Sequence, residues 1–130
     1  MYVVGVGLRR GTGEADLDAL VAAVLAEAGI GHERVTALAT LEGKEAETAV
    51  TATCERYGWE LRIFRADTLA AVPVPAPEIR VARAVGTPSV AEAAALAGAG
   101  VRAELIVGKR RSARATAALA RVTALEEAPG

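Results

Sequence analysis

Three short stretches of this sequence hold residues suited to gripping an acidic ligand. Arg9-Arg10-Gly11-Thr12-Gly13 sets two arginines beside two glycines, Thr87-Pro88-Ser89 opens an alanine-rich stretch, and Lys109-Arg110-Arg111-Ser112 is a run of three cations ending in a hydroxyl. The chemistry they offer is anion binding. A guanidinium presents forked donors to a carboxylate or phosphate, a glycine lets a ligand approach the backbone closely, and a helix start leaves N–H groups unpaired at the positive end of its dipole. Lys44, expected at the start of a second helix, can join them. The residues expected to touch ligand are therefore Arg9, Arg10, Gly11, Thr12 and Gly13, with Lys44, then Thr87 and Ser89, and finally Lys109, Arg110 and Ser112. Several separated anion contacts suit a ligand that carries several acidic arms.

The same residues have plain structural uses. Gly5, Gly7, Gly11 and Gly13 serve equally for a tight turn and close helix packing. Gly5-Val6-Gly7 lacks the third glycine of a dinucleotide-binding fingerprint, because Arg10 stands at that position. Thr87 and Ser89 are ordinary helix caps, and Lys109 to Arg111 read as a solvated turn. With one histidine, His32, and one cysteine, Cys54, neither a nucleophile–base pair nor a zinc site made by protein alone is expected. Cys54 falls on the apolar face of a helix and reads as a small core residue, and His32 as a surface residue. Glu42, Glu47 and Glu92 stand near the proposed edge as carboxylates able to act as a base, and nothing selects among them.

The elements that must position these groups follow from periodicity. Tyr2 to Leu8 is a Val-rich apolar run, expected as a central strand covered on both faces. Leu17, Leu20, Val21, Val24, Leu25 and Ala28 recur at helical spacing between Glu14 and Ala28, with Gly29 as the stop. Val35 to Leu41 reads as the second strand, Lys44 to Tyr57 as the second helix, and Trp59 to Arg65 as a half-exposed strand near a sheet edge. Asp67 to Ala71 reads as one helical turn, Pro73 to Pro77 as an extended connector, and Glu78 to Val85 as a short helix. A further helix runs to about Ala99, capped by Thr87 ahead of Pro88 or by a Ser89–Glu92 capping box. Leu105 to Val107 is expected as a buried strand, Gly108 to Arg114 as a basic turn, and Ala115 to Val122 as the last strand. Residues 1–122 then form a single domain and 123–130 a frayed tail.

This alternation predicts an α/β fold: a three-layer α/β/α sandwich around a mixed, mainly parallel sheet of about five strands. The first three strands are expected parallel and the last two antiparallel, since a short turn cannot make a crossover. Ligands of open α/β sheets bind at the carboxyl ends of the strands. The three stretches meet there provided the fourth strand runs parallel to the first.

Composition narrows the class. The chain has 130 residues, 52% of them hydrophobic but only 3% aromatic, so the core is expected from Val, Leu, Ile and Ala, with helices close against the sheet. Fifteen Lys and Arg residues balance 16 Asp and Glu residues for a net charge of −1, which argues against a nucleic-acid partner. No apolar run is long enough to span a bilayer and Met1 opens no signal peptide, so a cytoplasmic protein without a membrane partner is expected.

The site stretches also carry a family likeness. Gly5-Val6-Gly7-Leu8-Arg9-Arg10-Gly11-Thr12, Leu38-Ala39-Thr40-Leu41-Glu42-Gly43-Lys44-Glu45, Val85-Gly86-Thr87-Pro88-Ser89-Val90-Ala91-Glu92-Ala93-Ala94-Ala95-Leu96, and the Lys109 stretch followed by Thr116-Ala117-Ala118-Leu119-Ala120-Arg121 together resemble the CobE and CbiG C-terminal-domain family. The resemblance runs in order over nearly the whole chain. It implies a cobalamin (vitamin B12) biosynthesis protein that binds or handles a corrin-ring intermediate, a macrocycle bearing acetate and propionate arms. CbiG-type proteins open a lactone on cobalt-precorrin-5A and release acetaldehyde, and have further N-terminal domains. This chain begins at the strand that opens the C-terminal domain and so looks like the stand-alone CobE form. The alternatives are the hydrolase itself or one part of a split hydrolase, and a generic nucleotide- or phosphate-binding α/β domain. The expected partners are a corrin or precorrin intermediate and other cobalamin-pathway enzymes. No cofactor is expected, any cobalt arriving with the substrate.

Overall fold

Glycine governs how closely the layers of this molecule approach. In the computed structural model, which describes residues 1–73, 89–100 and 102–122, strand β1 (Tyr2–Leu8) is the middle of a five-stranded sheet. An added Cβ on Gly5 would stand 2.1 Å from the carbonyl oxygen of Ala91 and 2.4 Å from the amide nitrogen of Ala95. Gly5 is thus where the helix of Val90–Ala99 comes down onto the sheet. Gly98 makes the reciprocal approach, its missing Cβ leaving room for Val3 Cγ1 and the Ala39 methyl.

The remaining strands are β2 (Val35–Leu41), β3 (Glu60–Phe64), β4 (Glu104–Arg111) and β5 (Ala115–Arg121), and the sheet order is β3-β2-β1-β5-β4. β1 pairs with β2, and β2 with β3, in parallel. β5 runs antiparallel to both β1 and β4, so β4 points the same way as β1. Four strands share one direction, and their carboxyl ends form one rim. Helices α1 (Glu14–Ala28) and α2 (Thr48–Tyr57) cover one face, and α3 (Ala66–Ala70) and α4 (Val90–Ala99) the other.

The α1 and α2 face is packed by branched side chains: Val4, Val6, Leu17, Val21, Val24, Leu38, Val50 and Leu119 are wholly buried. The α4 face is packed by small ones, chiefly Ala37, Ala39, Ala91, Ala94, Ala95, Ala118 and Ala120. Period-2 alternation along β1 sends Val4, Val6 and Leu8 to the first core and Val3 to the second. Helix α1 ends at Gly29 in the left-handed conformation (φ 74°), with the Ile30 N–H bonded to Leu25 O at 3.2 Å.

The mixed sandwich matches the expected fold, and β3 is an edge strand as its alternation implied. Three boundaries differ. The second helix does not begin at Lys44: Lys44–Ala46 is a 3₁₀ turn, set off by Gly43 at φ 103°, and the α-helix starts at Thr48. The third strand is two residues shorter than expected, Glu60–Phe64. The expected basic turn at Gly108 to Arg114 is largely strand, because β4 continues to Arg111 and only 112–114 turn. Cross-strand pairing of Arg110 with Ala117 and Arg111 with Thr116 holds these cations extended where local composition alone reads as a turn. The expected helix over Glu78 to Val85, Thr87 with its cap, and the tail from 123 lie outside the described residues.

Candidate functional site

The carboxyl rim brings the β1–α1 loop, the α4 N-terminus and the β4–β5 hairpin together. The loop is tied to the hairpin by the backbone: Arg9 N–H donates to Arg114 O at 2.9 Å. Thr12, 5% exposed, donates its hydroxyl to Arg9 O at 2.6 Å. Between the hairpin and the start of α4 lies an open groove of about 400 Å³, lined by Gly7, Arg9, Ser89, Val90, Lys109, Arg111, Ser112 and Arg114 among others. Gly7 lines it as well, and a Cβ there would press on Thr116 Oγ1 at 2.9 Å and Val90 Cβ at 3.3 Å.

The groove is electrostatically one-sided. Arg9, Lys109, Arg111 and Arg114 border it, and no ion pair among the described residues engages any of the four. Its hydroxyl oxygens also bond within the chain. Ser89 Oγ accepts the Glu92 N–H at 3.2 Å as the cap of α4, and Thr116 Oγ1 donates to Gly7 O at 3.3 Å. Ser112 Oγ lies 3.4 Å from Ala115 O. The cationic side chains are the charged groups that border the groove, which suits binding of carboxylates or phosphates.

Of the expected site residues, Arg9, Ser89, Lys109 and Ser112 line this groove. Arg10 and Gly13 are exposed on the adjoining loop, and Arg10 O accepts from Arg114 Nη2 at 3.1 Å. Thr12 acts as an internal tie between loop and hairpin. Gly11, expected to touch ligand, has its N–H held at 2.9 Å by Glu47 Oε1 of the chain itself. Lys44 sits half-buried in its 3₁₀ turn beyond β2, outside the groove lining. Arg110 points to the other face of the sheet. There its Nε and Nη2 grip the carboxylate of Glu27 on α1, a contact that holds the Glu27 carboxyl below its ordinary range and raises the guanidinium.

Arg111 and Arg114 are groove residues that the selection from sequence left out. The signal for Arg111 was present: two-residue alternation within a strand sends Lys109 and Arg111 one way and Arg110 the other. It was hidden by reading that stretch as a turn. Arg114 carried no local signal, because only the closing of the hairpin over the β1–α1 loop brings it to the rim.

Among the described residues, the histidine and the cysteine both stand away from the groove. His32 precedes β2 and so lies at the opposite rim, where its ring packs against Tyr57 at 4.9 Å. Cys54 is buried in α2, and burial with the neighbouring Glu55 charge pushes its thiol up to about 11. Glu92, one of the three carboxylates near this rim, accepts the Lys109 N–H at 2.7 Å. No group of three or more metal-ligating side chains occurs among the described residues, and no described helix is long and apolar enough to cross a membrane.

Fold and groove together define an α/β/α protein with a cationic cleft at the carboxyl rim of its sheet. The chain belongs to the cobalamin synthesis G C-terminus family, whose pattern it matches over residues 2–120, and is a cobalamin biosynthesis protein. It is 38% identical over 120 residues to protein CobE of a Sinorhizobium species, an alignment that spans 91% of this chain and 78% of that protein. The solved structure of CobE, a protein from the cobalamin (vitamin B12) biosynthetic pathway, superposes with a TM-score of 0.78 at 33% identity, covering 95% of this chain and 94% of the other. A cobalt-precorrin-5A hydrolase of Priestia megaterium is 29% identical over 120 residues, but this chain spans only 32% of that enzyme's length.

Proposed function

We propose that the groove binds the carboxylate arms of a corrin-ring intermediate and that the protein handles this intermediate in the cytoplasm, among other enzymes of the pathway. The observation that carries the reading is the set of four cations, Arg9, Lys109, Arg111 and Arg114, around one open groove in a chain of a cobalamin biosynthesis family. A corrin precursor bears acetate and propionate arms along its rim, and cations spaced around a cleft can meet several of them at once. The groove accommodates part of such a macrocycle, leaving most of the ring outside. Any cobalt enters with the corrin, and the protein needs no cofactor of its own.

The test is a spectroscopic titration with a corrin whose arms are free carboxylic acids, beside the same corrin with its arms amidated. The free acid is expected to bind and shift its visible spectrum, and the amide to bind more weakly. Arg9→Ala combined with Lys109→Ala is expected to weaken binding by about a hundredfold, the scale of removing two charge-assisted hydrogen bonds. Unchanged affinity in that double variant would refute the site. A thermal shift with nucleotides and none with corrins would favour a general phosphate-binding domain.

A second reading draws on the hydrolase relative: the chain acts as one part of a cobalt-precorrin-5A hydrolase. The absence of a nucleophile–base pair among the described residues favours binding over chemistry. Acetaldehyde release from cobalt-precorrin-5A by this protein, alone or mixed with a separate N-terminal partner, would reverse that preference.

A further inference from the structure

Strand β4 does not keep one register along its length. Val107 stands opposite Leu119, but Arg110 stands opposite Ala117, so Gly108 and Lys109 together face the single residue Ala118. That is a β-bulge, one residue in excess on β4 at this point, and a second irregularity lies between Leu105 and Val107, so that the eight residues Glu104 to Arg111 face the six from Arg121 to Thr116. In a regular strand, side chains two apart share a face. Lys109 and Arg111 would then follow Val107, which is buried in the core on the α1 side. Instead both line the groove beside Ser89 and Val90, while Arg110 reaches Glu27 on α1. The irregularity after Leu105 takes the odd-numbered positions from the α4 side, where Leu105 packs, to the α1 side at Val107, and the bulge at Gly108 and Lys109 hands them back.

A bulge displaces a backbone N–H from the regular ladder. Here the Lys109 N–H donates to Glu92 Oε2 at 2.7 Å, from a carboxylate in the first turn of α4. A Cβ at Gly108 would stand 3.1 Å from that same oxygen, so the smallest residue occupies the place where the carboxylate comes in. Charge alone makes Glu92 a poor neighbour for a groove that binds anions, since a carboxylate repels them. Its position is explained by what it holds.

We infer that Glu92 is a positioning residue for the groove: it captures the bulged Lys109 N–H and thereby keeps Lys109 and Arg111 on the ligand side of the sheet. The inference rests on the reading of the groove as a carboxylate-binding site. Two substitutions separate this role from a purely electrostatic one. Removing a repelling charge predicts that Glu92→Ala and Glu92→Gln both bind a free-acid corrin more tightly. Positioning predicts that Glu92→Gln, whose amide oxygen still accepts, binds at least as well as the wild type, while Glu92→Ala binds about tenfold more weakly, the scale of one hydrogen bond to a charged group. Hydrogen exchange at the Lys109 amide, read by NMR, reports the bulge without any ligand. It is expected to be slow in the wild type and Glu92→Gln and faster in Glu92→Ala. Tighter or unchanged corrin binding by Glu92→Ala, or an undisturbed Lys109 amide, would overturn the inference. A wild-type protein that does not bind the free-acid corrin would overturn the groove reading instead, and the Lys109 amide would still decide whether Glu92 clamps the bulge.

Discussion

Arg110 and Arg111 are adjacent and chemically identical, yet they meet different partners. Arg110 is paired with Glu27 behind the sheet, and Arg111 borders the groove. Arg111→Ala is therefore expected to lower affinity for a free-acid corrin about tenfold, the scale of one charge-assisted hydrogen bond, while Arg110→Ala leaves it within about twofold because an exposed pair elsewhere contributes little. Spectroscopic titration of both variants checks the contrast, and equal losses would contradict the assigned faces. At Cys54 the thiol ordinarily titrates at 9.0 but is pushed up to about 11 in the fold, first by burial and then by Glu55. A raised value means that the neutral thiol is favoured by folding. Its contribution to stability is complete below pH 9 and fades as pH rises through about 11. Cys54 is expected to resist alkylation at pH 8 in the native protein and react readily once the chain is unfolded, which a mass-spectrometric time course will show.

At the scale of elements, the contact between β1 and α4 decides whether the groove exists. The atoms a Cβ on Gly5 would strike belong to the backbone of α4, and a helix backbone cannot rotate out of the way as a side chain can. Gly5→Ala is expected to cost about 3 kcal/mol or more, at the upper end of overpacking penalties, seen as a lower denaturation midpoint in urea. Ser89→Ala removes the cap of α4 and is expected to cost about 1 kcal/mol. The two substitutions probe one interface in different ways, since the first forces the helix away from the sheet and the second only frays its start.

For the whole molecule, charge is nearly balanced, with a net value of −1, while four cations border one groove. For the acidic ligand we propose, attraction is thus local rather than a property of the overall field. Raising ionic strength shortens the screening length from about 10 Å at 0.1 M to about 3 Å at 1 M. Affinity for the free-acid corrin is expected to fall across that range, and affinity for the amidated corrin to change little. A salt series in the same titration tests this, and indifference of the free acid to salt would count against a cationic cleft.

Much of this arrangement was legible from residue order. The apolar run of Tyr2 to Leu8, the helical spacing from Leu17 to Leu25 and the stop at Gly29 are local patterns, since each residue's partner along a helix or strand lies only a few positions away. They yielded the mixed α/β/α sandwich and, granted a fourth strand parallel to the first, the meeting of Arg9, Ser89, Lys109 and Ser112 at one rim. What local pattern could not supply was anything set by contact between distant segments. The Gly11 N–H goes to Glu47, Thr12 to a carbonyl of the β4–β5 hairpin as well as to Arg9, and Arg114 to the groove. Sequence by itself determined most of the elements, the layers and the cationic stretches. Only the tertiary structure decided which cation borders the groove, because that choice turns on the register irregularities of β4, where a carboxylate from α4, 17 positions away, meets the Lys109 N–H.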